Sequence, residues 1–143
     1  MTIEQLSIFL ENKPGKLVEA LETLREAKID LRALSLADTA DFGILRVIVD
    51  KPGKALEVLQ EEGYLVRSSE VLPIAVSDKP GGLSSVLRIL ADAGADVEYA
   101  YAFVAHSHDM AYVIIRVNDN AVAEKALKDN GIQLLSPERV YGM

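Results

Sequence analysis

The chain contains one six-residue stretch twice: Asn12-Lys13-Pro14-Gly15-Lys16-Leu17 returns 66 residues later as Asp78-Lys79-Pro80-Gly81-Gly82-Leu83. The apolar residues on both sides of it keep this offset, and from Gly43 onward the offset becomes 68, because the second copy gains two residues around 106–108. A match that preserves the periodicity of every segment indicates an internal duplication. We therefore predict two small tandem domains, residues 1–69 and residues 70–143, joined without a flexible linker.

Each copy shows the hydrophobic pattern of a β-α-β-β-α-β unit. Alternating apolar residues predict strands, and apolar residues three or four apart predict amphipathic helices. This order predicts an α+β fold of two tandem ferredoxin-like sandwiches, each a four-stranded antiparallel sheet with two helices on one face. The predicted elements are 3–11, 15–27, 30–38, 43–49 and 52–62 in the first copy and 71–77, 81–93, 97–105, 110–117 and 120–130 in the second, with a last strand closing each unit.

The face of each predicted sheet that lies opposite the helices also carries apolar side chains. Ile44 and Ile48 point to this open face in the first copy, and Tyr112 and Ile114 do so in the second. Because exposed apolar sheet faces need cover, we expect the open faces or edges to pack against each other or against a second chain.

Aromatic residues occupy one side of the predicted strand 97–105, where the first copy has small residues. This difference makes the two copies complementary in size, and it favours core or interface packing over the stacking of single-stranded RNA. The aromatic residues are Tyr99, Tyr101 and Phe103, and the small ones are Ala33, Ser35 and Ala37.

Composition excludes several classes of function. The 143 residues include no cysteine, which excludes disulfides and thiolate chemistry, and the net charge of −7 opposes binding to nucleic acid phosphates. No segment has the length of a membrane span and the N-terminus lacks a signal-peptide pattern, so we expect no membrane partner and a cytoplasmic protein. His106 and His108 lie at a predicted hairpin tip without a third ligand, so neither a metal nor a cofactor is predicted.

The repeated stretch lies between a predicted strand and a predicted helix. Four backbone N–H groups at a helix start lack partners within the helix, and the helix dipole favours negative charge there, so the place suits a carboxylate. Gly15 and Gly81 lack a Cβ, which lets a ligand approach the main chain closely. Asn12 or Asp78 could accept a hydrogen bond from an ammonium group beside that carboxylate. The same residues are also typical of an ordinary N-cap and turn, which is the alternative.

The β-α-β-β-α-β order with Pro-Gly-x-Leu at the first helix resembles the ACT domain, a small amino-acid-binding regulatory module, and the resemblance covers nearly the whole chain, twice. In ligand-binding members the amino acid lies at a domain interface, held by this loop and by the start of the second strand of a neighbouring domain. The copies differ where Lys16 stands opposite Gly82, so unequal binding is expected, with more room at Gly82. By position, the implied contacts are Asn12, Lys13, Pro14, Gly15, Lys16 and Leu17 with Asp30 and Leu31, and Asp78, Lys79, Pro80, Gly81, Gly82 and Leu83 with Asp96 and Val97.

We interpret the chain as a sensor that binds a free amino acid and transmits occupancy through domain or subunit packing. No nucleophile and base can be paired from these residues, so no catalytic residue is predicted and the chain is not expected to be an enzyme. A separate enzyme of amino acid metabolism is the expected partner, and a homodimer that completes the interface sites is the expected assembly. The alternatives are a ligand-free interaction or regulatory subunit and, with less support, a small ferredoxin-like enzyme.

Overall fold

The computed structural model describes residues 1–38 and 41–143. The predicted element order is present in both copies, and a short C-terminal helix follows. In chain order the elements are β1 (Ile3–Glu11), α1 (Lys16–Glu26), β2 (Leu31–Asp38), β3 (Phe42–Val49), α2 (Pro52–Glu61), β4 (Leu65–Ser77), α3 (Gly82–Asp92), β5 (Val97–Ala102), β6 (Met110–Val117), α4 (Asn120–Asp129), β7 (Gln133–Leu134) and α5 (Pro137–Tyr141).

The strands form one continuous antiparallel sheet in the order β2-β3-β1-β4-β6-β5, and β7 pairs with β4. Its first half is the four-stranded set β2-β3-β1-β4, and its second half is the corresponding set β5-β6-β4-β7. Two helices pack on the same face of each half. The predicted α+β class with tandem ferredoxin-like units is therefore confirmed.

Strand β4 belongs to both halves of the sheet. From Leu65 to Val71 it pairs with β1, and from Leu72 to Ser77 it pairs with β6. The predicted boundary between residues 69 and 70 falls inside this strand, which runs on without interruption. The division into 1–69 and 70–143 stays a prediction, and a shared strand connects the two parts.

Each half has its own core between its helices and its sheet. In the first half, Leu24 and Leu59 of the two helices pack on Leu6, Ile8 and Leu45 of the strands, and all five are fully or almost fully buried. Burial of one such side chain contributes about 1.5–3 kcal/mol. The second half repeats this arrangement with Leu72, Ile74, Val86, Leu90, Val113, Ile115 and Leu127.

A third core lies between the open faces of the two halves. Ile48 from the first half and Ile114 from the second are both fully buried in it. Ala33 forms an isolated antiparallel bridge with Phe103, so a small residue meets a large one. The expectation that the open faces cover each other is confirmed, and the aromatic strand contributes packing.

The seam between β2 and β5 is closed by main-chain and side-chain hydrogen bonds. The N–H of Val104 donates to the carbonyl of Arg32 at 2.9 Å. The guanidinium of Arg32 donates to the carbonyls of Val140 (3.1 Å) and Tyr141 (2.8 Å) at the end of α5, and Val140 is fully buried. Helix α5 was absent from the sequence-based prediction, β5 ends at Ala102 instead of residue 105, and β7 has only two residues.

Candidate functional site

The two copies of the repeated stretch adopt the same conformation. Gly15 and Gly81 occupy the N-cap positions of α1 and α3, each with φ of 86° in the left-handed region. A side chain with a Cβ is strained in that region, so glycine is required at both positions. In the second copy the N–H of Gly82 donates to the carbonyl of Lys79 at 3.0 Å, and Lys16 makes the equivalent bond in the first copy at 3.3 Å.

The first turns of α1 and α3 differ from those of α4 and α5 in their capping. Among the described residues no side chain caps either helix, whereas Asp119 accepts from Val122 at the start of α4 and Ser136 accepts from Arg139 at the start of α5. Because glycine holds both N-cap positions, neither Asn12 nor Asp78 is the N-cap residue. The N–H of the first helical residue donates to Lys13 or Lys79, so the N–H groups directed at the space in front of each helix are those that follow, beginning with Leu17 and Leu83.

A cavity of about 560 Å³ adjoins the first loop. Its wall includes four of the expected residues, Asn12, Lys13, Lys16 and Leu17, and the side-chain oxygen of Asn12 lies beside Gly43. The remaining wall comes from the end of β1, the end of β2 and the start of β3, which the sequence-based prediction of the site did not include. The other lining residues are Leu10, Glu11, Leu36, Ala37, Asp38 and Gly43.

Two lysines bring positive charge to the first loop. The ammonium of Lys13 pairs with Glu11 at 2.9 Å and that of Lys16 pairs with Glu19 at 3.4 Å. The hydrogen bond between the first pair lowers the pKa of Glu11 and raises the pKa of Lys13. The positive charge at this cavity is therefore partly neutralised within the chain.

A second cavity of about 440 Å³ adjoins the second loop. Lys79, Pro80, Gly81 and Gly82 line it, together with Ser77 and parts of β4, α3 and β7. A Cβ added to Gly82 would overlap the carbonyl oxygen of Ser77, so glycine is required by a close main-chain approach. The extra space expected for a ligand at Gly82 is taken by that carbonyl.

The expected residues at the starts of β2 and β5 do not lie beside the loops of their own halves. Asp30 and Leu31 line a third cavity, of about 410 Å³, at the far end of α1. The 11 residues of α1 separate them from the first loop by about 16 Å. Val97 likewise lies beyond the C-terminal end of α3, whereas the second loop lies at its N-terminal end. In each half, the loop and the strand start that were expected to form one site therefore lie at opposite ends of a helix.

Asp30 and Asp96 occupy equivalent turns. The N–H of Asp30 donates to the carboxylate of Asp50 at 2.9 Å, and that of Asp96 donates to the amide oxygen of Asn118 at 2.9 Å. The carboxylate of Asp30 also pairs with Arg32 at 2.6 Å. In the first copy this acid is thus paired with a basic side chain of its own half.

Sequence reasoning missed a polar cluster inside the interface between the halves. Gln5 is fully buried, donates to the hydroxyl of Tyr99 at 2.7 Å and accepts from the hydroxyl of Tyr101 at 2.5 Å. Burial raises the pKa of Tyr101. The guanidinium of Arg46 lies 3.8 Å from the ring centre of Tyr99. The sequence offered one signal of this cluster: Gln5 falls at an inward-facing position of a strand, and a buried amide needs hydrogen-bond partners.

A protein-family model described as an ACT domain pair matches residues 1–141. The chain belongs to the ACT domain pair family. The crystal structure of protein BT0572 from Bacteroides thetaiotaomicron is similar to this ACT domain pair with 39% sequence identity and a TM-score of 0.93, covering 100% of this chain and 98% of that one. No curated protein matches the chain.

Two more distant structures share the fold of this ACT domain pair. The regulatory subunit of aspartate kinase from Thermus thermophilus has 18% identity and a TM-score of 0.65, covering 90% of this chain and 92% of that one. The corresponding subunit from Thermus flavus has 17% identity and a TM-score of 0.62, covering 88% and 90%. Within the described residues of the ACT domain pair, no helix is long and apolar enough to span a membrane.

Proposed function

We propose that this ACT domain pair is a regulatory protein that binds a free amino acid at one or both of its Pro-Gly loops. The single observation that carries the proposal is the repeated loop geometry: a left-handed glycine, Gly15 or Gly81, begins an uncapped helix, and a cavity adjoins the same loop. Gly81 itself lines the second cavity, whereas the lining of the first cavity includes Lys13 and Lys16 but not Gly15. Membership of the ACT domain pair family supports the same role.

The chemistry of the loops suits a zwitterion. The ligand carboxylate would accept hydrogen bonds from main-chain N–H groups of the first helical turn, where the helix dipole also favours negative charge. The ammonium group would donate to Asn12 at the first loop or to Asp78 at the second. We expect the site to be completed by Asp30 and Leu31, or by Asp96 and Val97, from a neighbouring domain, because these residues lie too far from the loop of their own half.

A regulatory role implies a second polypeptide that responds to occupancy. The regulatory subunits of aspartate kinase have the same fold, and by analogy we propose a separate enzyme of amino acid metabolism as the partner. The chain itself is proposed to be non-catalytic. A homodimer and a cytoplasmic location stay predictions from the sequence.

Calorimetric titration of the chain with each of the standard amino acids tests the proposal. We expect saturable heat with at least one of them, and loss of that heat in Asn12→Ala or in Asp78→Ala, according to which loop binds. Asp92→Ala, which removes an exposed carboxylate at the end of α3, serves as the control and should bind like the parent.

Silence from all the amino acids at millimolar concentration would overturn the proposal. A stable partner protein recovered with a chain that shows no such heat would favour the ligand-free regulatory subunit. Binding that survives both loop substitutions would place the ligand elsewhere in the molecule.

A further inference from the structure

Strand β2 belongs both to the wall of the first cavity and to the seam between the halves. Near its start, Ala33 forms the bridge with Phe103, and the carbonyl of Arg32 accepts from the N–H of Val104. About 13 Å further along the strand, its last three residues line the cavity. These residues are Leu36, Ala37 and Asp38. One short strand therefore connects the candidate ligand site with the second half.

Strand β2 is held less firmly than its neighbours β1 and β3. It lies at an edge of the sheet and pairs along its length with β3. Of its eight residues Ala33 alone is buried, whereas Leu34 is 38% exposed and Leu36 is 53% exposed. A strand with so little buried apolar surface opens locally at a lower free energy than the core strands beside it.

The seam that β2 forms with the second half depends on two consecutive residues. Ala33 supplies the bridge to Phe103, and Arg32 accepts from Val104 at 2.9 Å and donates to the carbonyls of the last two residues of α5. Detachment of β2 from β3 would break these contacts together. It would also remove one wall of the first cavity, because the same strand supplies both.

We propose that β2 exchanges between an attached and a detached form, and that an amino acid in the first cavity binds only the attached form. The inference rests on the proposed function and names how occupancy of the first cavity reaches the second half. Binding closes the seam, because a ligand that binds one of two forms shifts the equilibrium towards it. Helix α5 follows the same equilibrium, since Arg32 of β2 holds its end.

The second copy lacks this arrangement. By the repeat offset, Phe103 stands where the first copy has Ala37, so a residue of the third core replaces a residue of the cavity wall. Glu98 stands in place of Arg32 and pairs with Arg116 of its own half at 3.7 Å. Among the residues that line the second cavity, none belongs to β5. The coupling therefore belongs to the first cavity.

Amide hydrogen exchange of the full-length chain, followed by NMR, tests the coupling at single residues. The N–H of Val104 is the reporter, because it lies in the second half and its hydrogen bond to Arg32 opens when β2 detaches. With the amino acid found by titration at ten times its Kd, exchange at Val104 should slow about tenfold. The N–H of Ala95, which donates to Leu90 at the end of α3, is the control and should exchange at an unchanged rate.

A ligand-free comparison tests the attachment of β2 by itself. Phe103→Leu weakens the bridge to Ala33 and should speed exchange of the amides of residues 31–38 about threefold or more. Ile115→Val trims a fully buried side chain of the second core, which contains no residue of β2, and should leave these amides unchanged. Thermal melting shows whether both variants are folded.

The proposal is overturned if a ligand whose binding requires Asn12 leaves exchange at Val104 unchanged, or if Phe103→Leu leaves exchange in β2 unchanged. Binding that is lost in Asp78→Ala alone also overturns it, because the ligand then occupies the second loop. If no amino acid binds, the proposed function fails and the coupling fails with it. The ligand-free comparison still decides, in that case, whether the seam holds β2 in place.

Discussion

Two glycines at the second loop are required for different physical reasons. Gly81 is required by its positive φ, and Gly82 is required because the carbonyl oxygen of Ser77 occupies the place of a Cβ. Only the first requirement was visible in the repeated Pro-Gly. The second depends on where β4 ends relative to α3, and Lys16 at the equivalent position of the first copy gave no indication of it.

Gly82→Ala should therefore lower the free energy of unfolding, by about 1–3 kcal/mol, because the new methyl group forces the loop away from Ser77. Gly53→Ala is the matched control: Gly53 lies in α2 with open space around it, and alanine there should raise stability by about 0.5–1 kcal/mol. Urea unfolding of the two variants compares them. Equal effects on stability would contradict the assigned role of Gly82.

At the scale of elements, the two helices and the first three strands of each copy follow from apolar periodicity, whereas α5 could not be predicted. A five-residue helix is too short to show a period, and its position depends on tertiary contacts with Arg32, Glu4 and the third core. The cavity walls supplied by Leu36 and Gly43 escaped prediction for a similar reason, because only the sheet register brings them to the first loop.

Arg32→Ala should lower the free energy of unfolding by about 2–3 kcal/mol, since Arg32 donates to two carbonyls of α5 and to Asp30. Its side chain is 11% exposed, whereas that of Arg88 is 76% exposed, so Arg88→Ala should stay within about 0.5 kcal/mol of the parent. Chemical unfolding of both variants measures the difference. An Arg32→Ala variant as stable as Arg88→Ala would show that α5 is not held in this way.

At the scale of the whole molecule, the duplication and the fold class could be predicted, but the way the halves are joined could not. Matching the two copies placed a boundary near residue 69. The last strand of the first copy and the first strand of the second could be two separate strands or one continuous strand that pairs first with β1 and then with β6, and the match between the copies does not distinguish these arrangements. Gln5 of the first half also bonds to Tyr99 and Tyr101 of the second, so a polar cluster and an apolar core both cross the interface.

We expect the two halves to unfold together. Scanning calorimetry should give one transition whose calorimetric and van't Hoff enthalpies agree, because β4 and the third core are lost from both halves at once. Gln5→Leu should lower the midpoint of that single transition, since it leaves the hydroxyl groups of Tyr99 and Tyr101 without their partner. Two separate transitions in the parent would show that the halves are independent.

The undivided β4 also limits how a signal can travel through this molecule. Two domains on a loose tether can swing apart, but here one strand pairs with β1 along its first part and with β6 along its second. A change at either Pro-Gly turn can reach the other half along this strand, or through the bridge between Ala33 and Phe103. That bridge is one pair of residues, whereas β4 is paired over its whole length, so we expect the two halves to separate first at the edge where β2 meets the end of β5.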